Sequence, residues 1–432
     1  MAVVFFYITA IHMGGHSNVL LITIDALRAD HLGCYGYKRN TSPTIDLLAK
    51  KGLLFQNAIA QSTHTPPCMG TIATSAYAPT HQLYAWGKTL KPSLPTLAET
   101  LRNNGYATFF IGGNGNFKGS LHNFTHGFDI FDDVGESAAR ITAKACALIR
   151  TSNQKPFFLW MHYMDVHNYD PEPGSAAMYT QDQYYNNERT LPIVPCVMMA
   201  YGINGIPECL AVRKGMRQNP DYYIAQYDAA IHDVDEQIKI LLQHTPKNTL
   251  VIITADHGEL LGERGYFFHH GRFLYRPLLN IPLIIKYPQN RVAQHTISSP
   301  VSANLDIAPT IVKFLGITAP STFEGLDLRS VASSQGSLAQ EFIFSQAHQY
   351  KECVQNNEWK LIVLKDSNKL LLSNVRNNPN ETPDISHPEP AALNLLKTKL
   401  FMFQKAHPYT RSPETILTDE TAQKLKSLGY LQ

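Results

Sequence analysis

Two apolar, β-branched runs that each end in an aspartate constrain the fold of this chain more than any other feature. Residues 19–24 (VLLITI) lead directly into Asp25, and Thr249–Ala255 (TLVIITA) leads into Asp256 and His257. Short runs of this composition are typical of fully buried strands. Because ligands of α/β sheets bind beyond the carboxyl ends of the strands, we expect these acidic side chains to meet at one edge of a sheet.

Strand-like and helical stretches alternate along most of the chain. Residues 107–111 and 157–161 are further apolar runs, whereas residues 93–103 and 222–242 have helical character. This alternation predicts an α/β fold with a mostly parallel sheet and helices on both faces. After Leu315 the pattern changes to short alternating strands, which predicts a small α+β subdomain with an antiparallel sheet.

These patterns divide the chain into an N-terminal extension (1–17), a large α/β domain (18–315) and a C-terminal subdomain (316–432). The stretch 169–216 has no clear period, and we expect it to form an insertion over the rim of the site. A closing helix is predicted over residues 419–428.

Composition and charge narrow the class of protein. The 432 residues carry a formal net charge of +2 without a Lys/Arg cluster, which argues against nucleic acid as a partner. The apolar stretch 3–11 is too short to cross a bilayer, so we expect no integral membrane segment and a cytoplasmic location. The six cysteines lack metal-like spacing, and Cys196 and Cys209 could pair in an oxidising compartment.

The residues at the two strand ends suit a divalent cation. The carboxylates of Asp25 and Asp256 and the imidazole of His257 offer the oxygen and nitrogen donors that such ions bind. The plainer interpretation is that Asp256 caps the following turn and His257 is an ordinary loop histidine.

Thr65 marks a second point of interest, because it precedes Pro66-Pro67. A threonine followed by proline predicts an N-cap and the first turn of a helix, with free N–H groups beside the hydroxyl. Such a terminus is a ready anion site. Thr65 could therefore be a nucleophile that attacks an anionic ester, or a capping residue, and the two roles are compatible.

Taken together, ordered blocks of the sequence resemble the sulfatase family of the alkaline phosphatase superfamily. The matching blocks are 18–25 with Arg28, 30–36, 57–81 around Thr65, 157–167, and 256–271. The resemblance implies hydrolysis of an anionic phosphate or sulfate ester and a divalent ion, calcium or magnesium by analogy with the family, with zinc or manganese as alternatives.

The resemblance also implies roles for single residues. Asp25, Asp256 and His257 would hold the ion, with Thr65 in the nucleophile position completing its shell. The candidates for substrate binding are Asn114, Asn116, Arg28 and His81, of which His81 would support the loop.

Three histidines outside the ion's ligand set have implied catalytic roles. His167, and with less support His162, would protonate the leaving oxygen. His162 could equally be a core residue of its strand. His270 would contact the transferring group or a second metal.

Several positions depart from the family pattern. Sulfatases carry Cys or Ser, followed by x-Pro-x-Arg, at the nucleophile position and convert that residue to formylglycine, whereas this chain has Thr65 and, in the arginine slot, Met69. The family's Lys-x-His pair is replaced by Asn114 and Asn116, and a second acidic ligand by Ala26.

Threonine in the nucleophile position resembles the phosphoryl-transferring members of the superfamily, which form a phosphothreonine. We therefore expect phosphodiester or phosphonate ester chemistry to be preferred over sulfate ester chemistry. Two alternatives are a phosphoethanolamine-type phosphotransferase and a catalytically inactive member that binds anionic glycans.

Overall fold

The structure is a computed structural model that describes residues 17–117, 123–133, 135, 137–152, 155–195, 203–290, 295–334, 340–347, 350–381, 389–410 and 419. Three of the features expected from the sequence therefore lie outside the described residues. They are the N-terminal extension before Ser17, Cys196, and the expected helix 419–428 apart from Asp419.

The centre of the fold is an eight-stranded sheet. Its strands in chain order are β1 (Asn18–Ile24), β2 (Leu53–Phe55), β3 (Ala107–Gly112), β4 (Ile130–Asp133), β5 (Phe157–Tyr163), β6 (Thr249–Ala255), β7 (Leu283–Lys286) and β8 (His295–Ile297). Their spatial order is β8-β2-β7-β6-β1-β5-β3-β4, with β7 antiparallel to both of its neighbours. The expected α/β fold with a mostly parallel sheet is confirmed.

Strand β1 lies in the middle of this sheet and sets the position of the site. It pairs in parallel with β5 on one side and β6 on the other, so that Ile24 lies opposite both Tyr163 and Ala255. Because the three strands end in register, Asp25 and Asp256 leave the sheet side by side. All of β1 after Asn18 is buried, which explains its continuous apolar sequence.

Helices flank the sheet. Over the described residues they are α1 (Pro43–Ala49), α2 (Thr65–Thr74), α3 (Ala78–His81), α4 (Leu97–Asn103), α5 (Ala138–Thr151), α6 (Asp165–Asn168), α7 (Pro173–Thr180), α8 (Glu208–Arg213), α9 (Pro220–His244), α10 (Arg276–Leu279), α11 (Ala303–Phe314), α12 (Leu328–Ser333) and α13 (Pro390–Ala406). The helix expected from residue 93 begins only at Leu97. The reason is a capping box, in which Thr96 Oγ1 accepts from the Glu99 N–H at 3.0 Å and Glu99 Oε2 accepts from the Thr96 N–H at 2.8 Å.

The C-terminal part forms a four-stranded antiparallel sheet of consecutive strands, as the alternating sequence predicts. The strands are β9 (Ile343–Ala347), β10 (Lys351–Gln355), β11 (Trp359–Leu364) and β12 (Lys369–Asn374). Helix α13, which the sequence analysis did not predict, packs on this sheet through Leu396, Leu400 and Phe403.

The rim segment 169–216 contains helices α7 and α8 and two short paired strands, Ile193–Val194 and Ile206–Pro207. Cys209 in this segment is disulfide-bonded. The free thiols among the described cysteines are Cys34, Cys68, Cys146 and Cys353. No helix within the described part of the chain combines the length and the apolar character that a membrane crossing requires.

Candidate active site

The carboxylates expected to converge do so at the carboxyl edge of the sheet. Asp25 follows β1, and Asp256 and His257 follow the adjacent β6. All three side chains are fully buried, and one ligand atom of each lies within 4.8 Å of those of the other two. This is the donor set that the sequence predicts for a divalent ion.

Thr65 reaches the same point from helix α2. Its Oγ1 lies 3.3 Å from Asp25 Oδ2, to which the hydroxyl donates, and 3.3 Å from His257 Nε2. Thr65 is the first residue of the helix rather than its N-cap. The N-cap is His64, whose backbone is extended and whose side chain forms no capping hydrogen bond. The expectation of a capping threonine is therefore wrong, and the hydroxyl instead faces the carboxylate.

The N–H groups expected at this helix terminus are also largely missing. Pro66 and Pro67 follow Thr65 directly, and proline has no N–H to offer. The next residue, Cys68, donates its N–H to the His64 carbonyl at 3.3 Å. The positive end of the helix dipole remains beside the site, but it lacks the row of donors that usually holds an anion there.

The hydrogen bonds around His257 and Asp256 fit a cation. Nδ1 of His257 lies 2.9 Å from the Gly258 carbonyl, which can only accept, so this nitrogen carries the proton and Nε2 presents a lone pair. Asp256 Oδ1 accepts from the backbone N–H of His257 at 2.9 Å and of Ala26 at 3.2 Å. Ala26 adopts a left-handed backbone with φ 59° in doing so.

The remaining carboxylate oxygens, Asp25 Oδ1 and Asp256 Oδ2, are buried and have no hydrogen-bond donor among the described residues. A buried carboxylate oxygen without a hydrogen-bond donor raises the free energy of the folded protein unless a cation balances its charge. Together with the lone pair of His257 Nε2, they form an electron-rich pocket suited to a divalent ion.

The two carboxyl groups differ in acidity. Burial and the neighbouring Asp25 charge raise the pKa of Asp256 above its ordinary value. Burial alone would raise the pKa of Asp25 as well, but the imidazoles of His167, His162 and His257 outweigh it and hold that pKa well below its usual range. Asp25 is therefore the carboxylate that keeps its negative charge most firmly.

His162 lies behind Asp25, inside the sheet. Its Nδ1 is 2.8 Å from Thr23 Oγ1, and its Nε2 is 3.3 Å from Asp25 Oδ2. Thr23 already donates its hydroxyl proton to the Met161 carbonyl, so His162 Nδ1 donates to Thr23. The ring is fully buried, which places His162 as a support for Asp25.

His167 and His270 lie on the outer side of the site and are half-buried. The ring of His270 stacks on the ring of His257, with centroids 4.6 Å apart. The ring of His167 contacts the His270 ring edge-on, with centroids 5.1 Å apart. Burial lowers the pKa of His167 despite the nearby Asp25 charge. Burial also acts to lower the pKa of His270, but the Glu259 carboxylate outweighs it and raises that pKa.

Glu259 is a residue of this site to which the sequence analysis gave no role. Its two carboxylate oxygens lie 3.4 and 3.3 Å from His270 Nδ1, and its side chain is buried. The contact orients His270 so that Nε2 points away from Glu259. Its position two residues after His257 is the only sequence signal that could have indicated a role for Glu259 in the site.

The four residues expected to bind substrate lie in three settings. Asn114 and Asn116 follow β3, beside β5, and are buried at the same edge of the sheet, where Asn114 Nδ2 contacts Met164 Sδ at 3.4 Å. Arg28 donates to Asp30, to Glu263 and to the Glu259 carbonyl, which gives it a role in arranging these loops.

His81 is fully buried beneath helix α2, away from the ligand atoms. Its Nδ1 accepts the Leu83 N–H at 3.0 Å, so the proton is on Nε2, 3.2 Å from Thr71 Oγ1. These contacts join His81 to helix α2 and to the chain after α3, and the support of the loop that the sequence analysis assigns to His81 stays a prediction.

Comparisons with known proteins give a consistent result. The model of the sulfatase family matches residues 17–317, and a model described as N-sulphoglucosamine sulphohydrolase, C-terminal, matches residues 262–405. The chain is 24% identical to N-acetylglucosamine-6-O-sulfatase of Bacteroides thetaiotaomicron, over 78% of this chain and 74% of that protein.

Solved structures with the same fold include one in complex with its substrate D-glucosamine-2-N,6-O-disulfate. It has a TM-score of 0.75 and 22% identity, and covers 91% of this chain and 98% of its own. A phosphonate monoester hydrolase from Silicibacter pomeroyi has a TM-score of 0.72 and 17% identity, with coverages of 91% and 96%.

Proposed function

This chain belongs to the sulfatase family, and from that premise we propose that it hydrolyses an anionic ester by attack of the Thr65 hydroxyl. The observation that carries the proposal is the position of Thr65 Oγ1, 3.3 Å from both Asp25 Oδ2 and His257 Nε2. The hydroxyl lies at the start of a helix, at the carboxyl edge of the sheet, where a buried acceptor can take its proton.

Asp25, Asp256 and His257 are the residues that would hold a divalent ion. Their unpartnered oxygens and the lone pair on His257 support this part of the proposal. When bound, the ion would favour the deprotonated form of the Thr65 hydroxyl and balance the charge of the ester. The family favours calcium or magnesium, and the imidazole ligand also suits zinc or manganese.

The two outer histidines, His167 and His270, have separate roles in this proposal. We assign to His167 the protonation of the leaving oxygen, because it is a half-buried imidazole beside Asp25. His270, oriented by Glu259, would donate to an ester oxygen. Asn114 and Asn116 would add neutral hydrogen bonds from the loop after β3.

The class of ester follows from charge and from the nucleophile. Neutral Met69, Asn114 and Asn116 stand where the family has cationic groups, so a singly charged ester suits the site better than a doubly charged phosphate monoester. A phosphodiester, a phosphonate monoester and a sulfate monoester all meet that condition. We favour the phosphorus esters, because a sulfated threonine lacks the elimination route that a formylglycine hydrate provides.

A sulfate ester is the second candidate, and the relatives favour it. N-acetylglucosamine-6-O-sulfatase, by its name, acts on a sulfated amino sugar. We therefore propose that the ester group is attached to a saccharide, whether it is a phosphorus ester or a sulfate ester.

The first test replaces the nucleophile. We expect Thr65→Ala to lower kcat/KM by at least about a thousandfold, whereas Thr65→Ser, which keeps a hydroxyl, should retain most of the activity. The fold should remain intact, since the Thr65 side chain does not cap the helix. Turnover of Thr65→Ala at the wild-type rate, or an intact mass showing formylglycine at Cys68, would contradict the assignment.

The second test compares substrates. Aryl sulfate, phosphate monoester, phosphodiester and phosphonate monoester are supplied to the protein with calcium, magnesium, manganese or zinc. We expect kcat/KM to be highest for a phosphodiester or phosphonate monoester. A higher kcat/KM for the aryl sulfate would favour the second candidate, hydrolysis of a sulfate ester. Transfer to an added alcohol instead of water would indicate a phosphotransferase, and no turnover of any ester would indicate an inactive glycan-binding member.

A further inference from the structure

A cleft of about 430 Å³ opens between the segment that follows β1, the rim segment and the start of α9. Its size is within the range of small-ligand sites. We call it the tyrosine cleft. The lining residues that matter here are Asp30, Tyr37, Lys38, Tyr184, Asp221 and Ile224.

A buried ionic network holds one tyrosine ring of this cleft in place. Asp228 is fully buried and accepts from Tyr37 Oη at 2.6 Å, from Arg39 Nη1 at 2.8 Å and from His31 Nδ1 at 2.6 Å. The Arg39 guanidinium in turn lies 5.7 Å from the centre of the Tyr184 ring. The Tyr37 ring is therefore oriented before any ligand arrives, which reduces the entropy lost on binding, and the Arg39 guanidinium lies beside the exposed Tyr184 ring.

The positive charge of Arg39 is already paired within the network, because its guanidinium contacts Asp182 at 2.8 Å as well as Asp228. The polar groups left for a ligand lie on the rim of the cleft. Asp30 is held by Arg28 at 2.9 and 2.7 Å but has 61% of its side chain exposed, and Lys38 is exposed. Asp221 accepts from Arg189 through Oδ1, while its Oδ2 is buried and has no donor among the described residues.

The cleft is close to the ester site. Asp30 comes five residues after Asp25, which limits the distance between them to about 18 Å even for a fully extended chain. Arg28, which holds Asp30, also donates to the Glu259 carbonyl at 3.2 Å. A molecule that occupies both places would therefore need to span no more than about this distance.

We propose that the tyrosine cleft binds a sugar ring. A pyranose presents an apolar C–H face, which packs on tyrosine rings, and an edge of hydroxyl groups, which donate to carboxylates. Tyr37 and Tyr184 supply the aromatic surface, and Asp30 and Asp221 supply the acceptors. Lys38 suits an acidic substituent on the sugar. That this sugar belongs to the substrate rests on the proposed function, whereas binding by the cleft does not.

The test measures binding without turnover. The probe is an unsulfated tetrasaccharide of alternating N-acetylglucosamine and glucuronate, which carries no ester for the enzyme to cleave. Titration calorimetry follows its binding to the wild-type protein and to Tyr184→Ala, Lys38→Ala and Tyr350→Ala. Tyr350 is the matched control, because it is an exposed tyrosine (60%) next to β10 in the C-terminal sheet.

We expect Kd to rise at least about tenfold in Tyr184→Ala, to rise severalfold in Lys38→Ala, and to stay unchanged in Tyr350→Ala. Absence of binding to wild type, or equal affinity of wild type and Tyr184→Ala, would overturn the proposal even if Thr65-dependent hydrolysis of small aryl esters were found. Conversely, binding that depends on Tyr184 would support the cleft even if no ester were turned over. Circular dichroism verifies that each variant is folded.

Discussion

At the scale of single residues, the candidate site has imidazole rings and lacks a guanidinium near its nucleophile. His257 Nε2 lies 3.3 Å from the Thr65 hydroxyl, the His270 ring stacks on His257, and Met69 occupies a position where the family has arginine. An imidazole can accept or donate a proton near neutral pH, which a guanidinium cannot. The loss of the arginine therefore removes a permanent charge and leaves groups that can transfer protons.

His81 predicts a specific dependence of stability on pH. Burial lowers the pKa of its ring to about 3, so the folded protein keeps it neutral while the unfolded chain protonates it below about pH 6.5. The unfolded state then binds the additional proton, and the free energy of unfolding falls as pH decreases through that window. The slope from this one group approaches about 1.4 kcal/mol per pH unit.

The measurement is urea unfolding of wild type and His81→Gln at pH 7.5, 6 and 5. The variant should be less stable at pH 7.5, because its hydrogen bonds are imperfect, but should lose less stability on acidification. Parallel pH curves for the two proteins would show that the pKa of His81 is the same in the folded and unfolded states, which would contradict the prediction.

The main residues of the site could be predicted from the sequence because each follows or precedes a regular element. Asp25 and Asp256 directly follow buried parallel strands, and Thr65 begins a helix. The capping role of Thr65 failed because a cap accepts from the second or third residue after it, and here Pro67 has no N–H while Cys68 donates its N–H to the His64 carbonyl. The contact of Glu259 with His270 depends on the path of a loop, which no periodicity encodes.

At the scale of elements, an ion pair links the C-terminal sheet to the loop that carries His270. Glu381 Oε1 pairs with Lys360 Nζ of β11 at 2.8 Å, and both side chains are almost fully buried. Glu381 Oε2 also accepts the N–H of Arg276 at 3.0 Å, and its carbonyl accepts from Arg264. The sheet therefore holds both sides of the segment 264–276.

Removal of one partner of this pair should be strongly destabilising. We expect Glu381→Ala to reduce the free energy of unfolding by about 3–5 kcal/mol, because it leaves the Lys360 ammonium buried and unpaired. The double variant Lys360→Met/Glu381→Leu should recover part of that loss. Thermal unfolding monitors both, and a Glu381→Ala Tm equal to that of wild type would show that the lysine finds another partner or water.

Four of the eight strands of the large sheet, β1, β3, β5 and β6, could be predicted to within one or two residues, since parallel strands buried on both faces have continuous apolar sequences. The other four strands were not predicted. Helix α13 was missed because only one narrow stripe, Leu396, Leu400 and Phe403, is buried. Its position depends on the sheet it covers, which is formed by residues distant in the sequence.

At the scale of the whole molecule, occupation of the ligand pocket should stabilise the fold. A divalent ion that binds only the folded state adds about 2.7 kcal/mol when its concentration is a hundred times Kd. We expect Tm to rise with ion concentration and to fall again with a chelator. Asp256→Asn should abolish the rise without lowering the Tm of the ion-free protein, because it removes a carboxyl group that lies beside Asp25.

An equal rise of Tm in Asp256→Asn would place the ion elsewhere in the molecule. The Asp30→Asn variant serves as the control, since Asp30 is an exposed carboxylate outside the ligand cluster.

The disulfide at Cys209 bears on the compartment in which the protein works. Disulfides persist in oxidising environments, and on this ground we propose that the protein works in such a compartment. Alkylation of the unfolded, unreduced protein should label Cys34, Cys68, Cys146 and Cys353, and Cys209 should react only after reduction. Labelling of Cys209 without a reductant would restore the cytoplasmic expectation.

The central position of β1 has a consequence for biosynthesis. Its edge next to β6 is completed only when a segment about 230 residues later is available, as the contact of Ala26 with Asp256 shows. At about 5–20 residues per second, a ribosome needs roughly 12–46 s to make that length. Throughout this interval one edge of an apolar strand is open to wrong partners, so we expect the nascent chain to depend on chaperones.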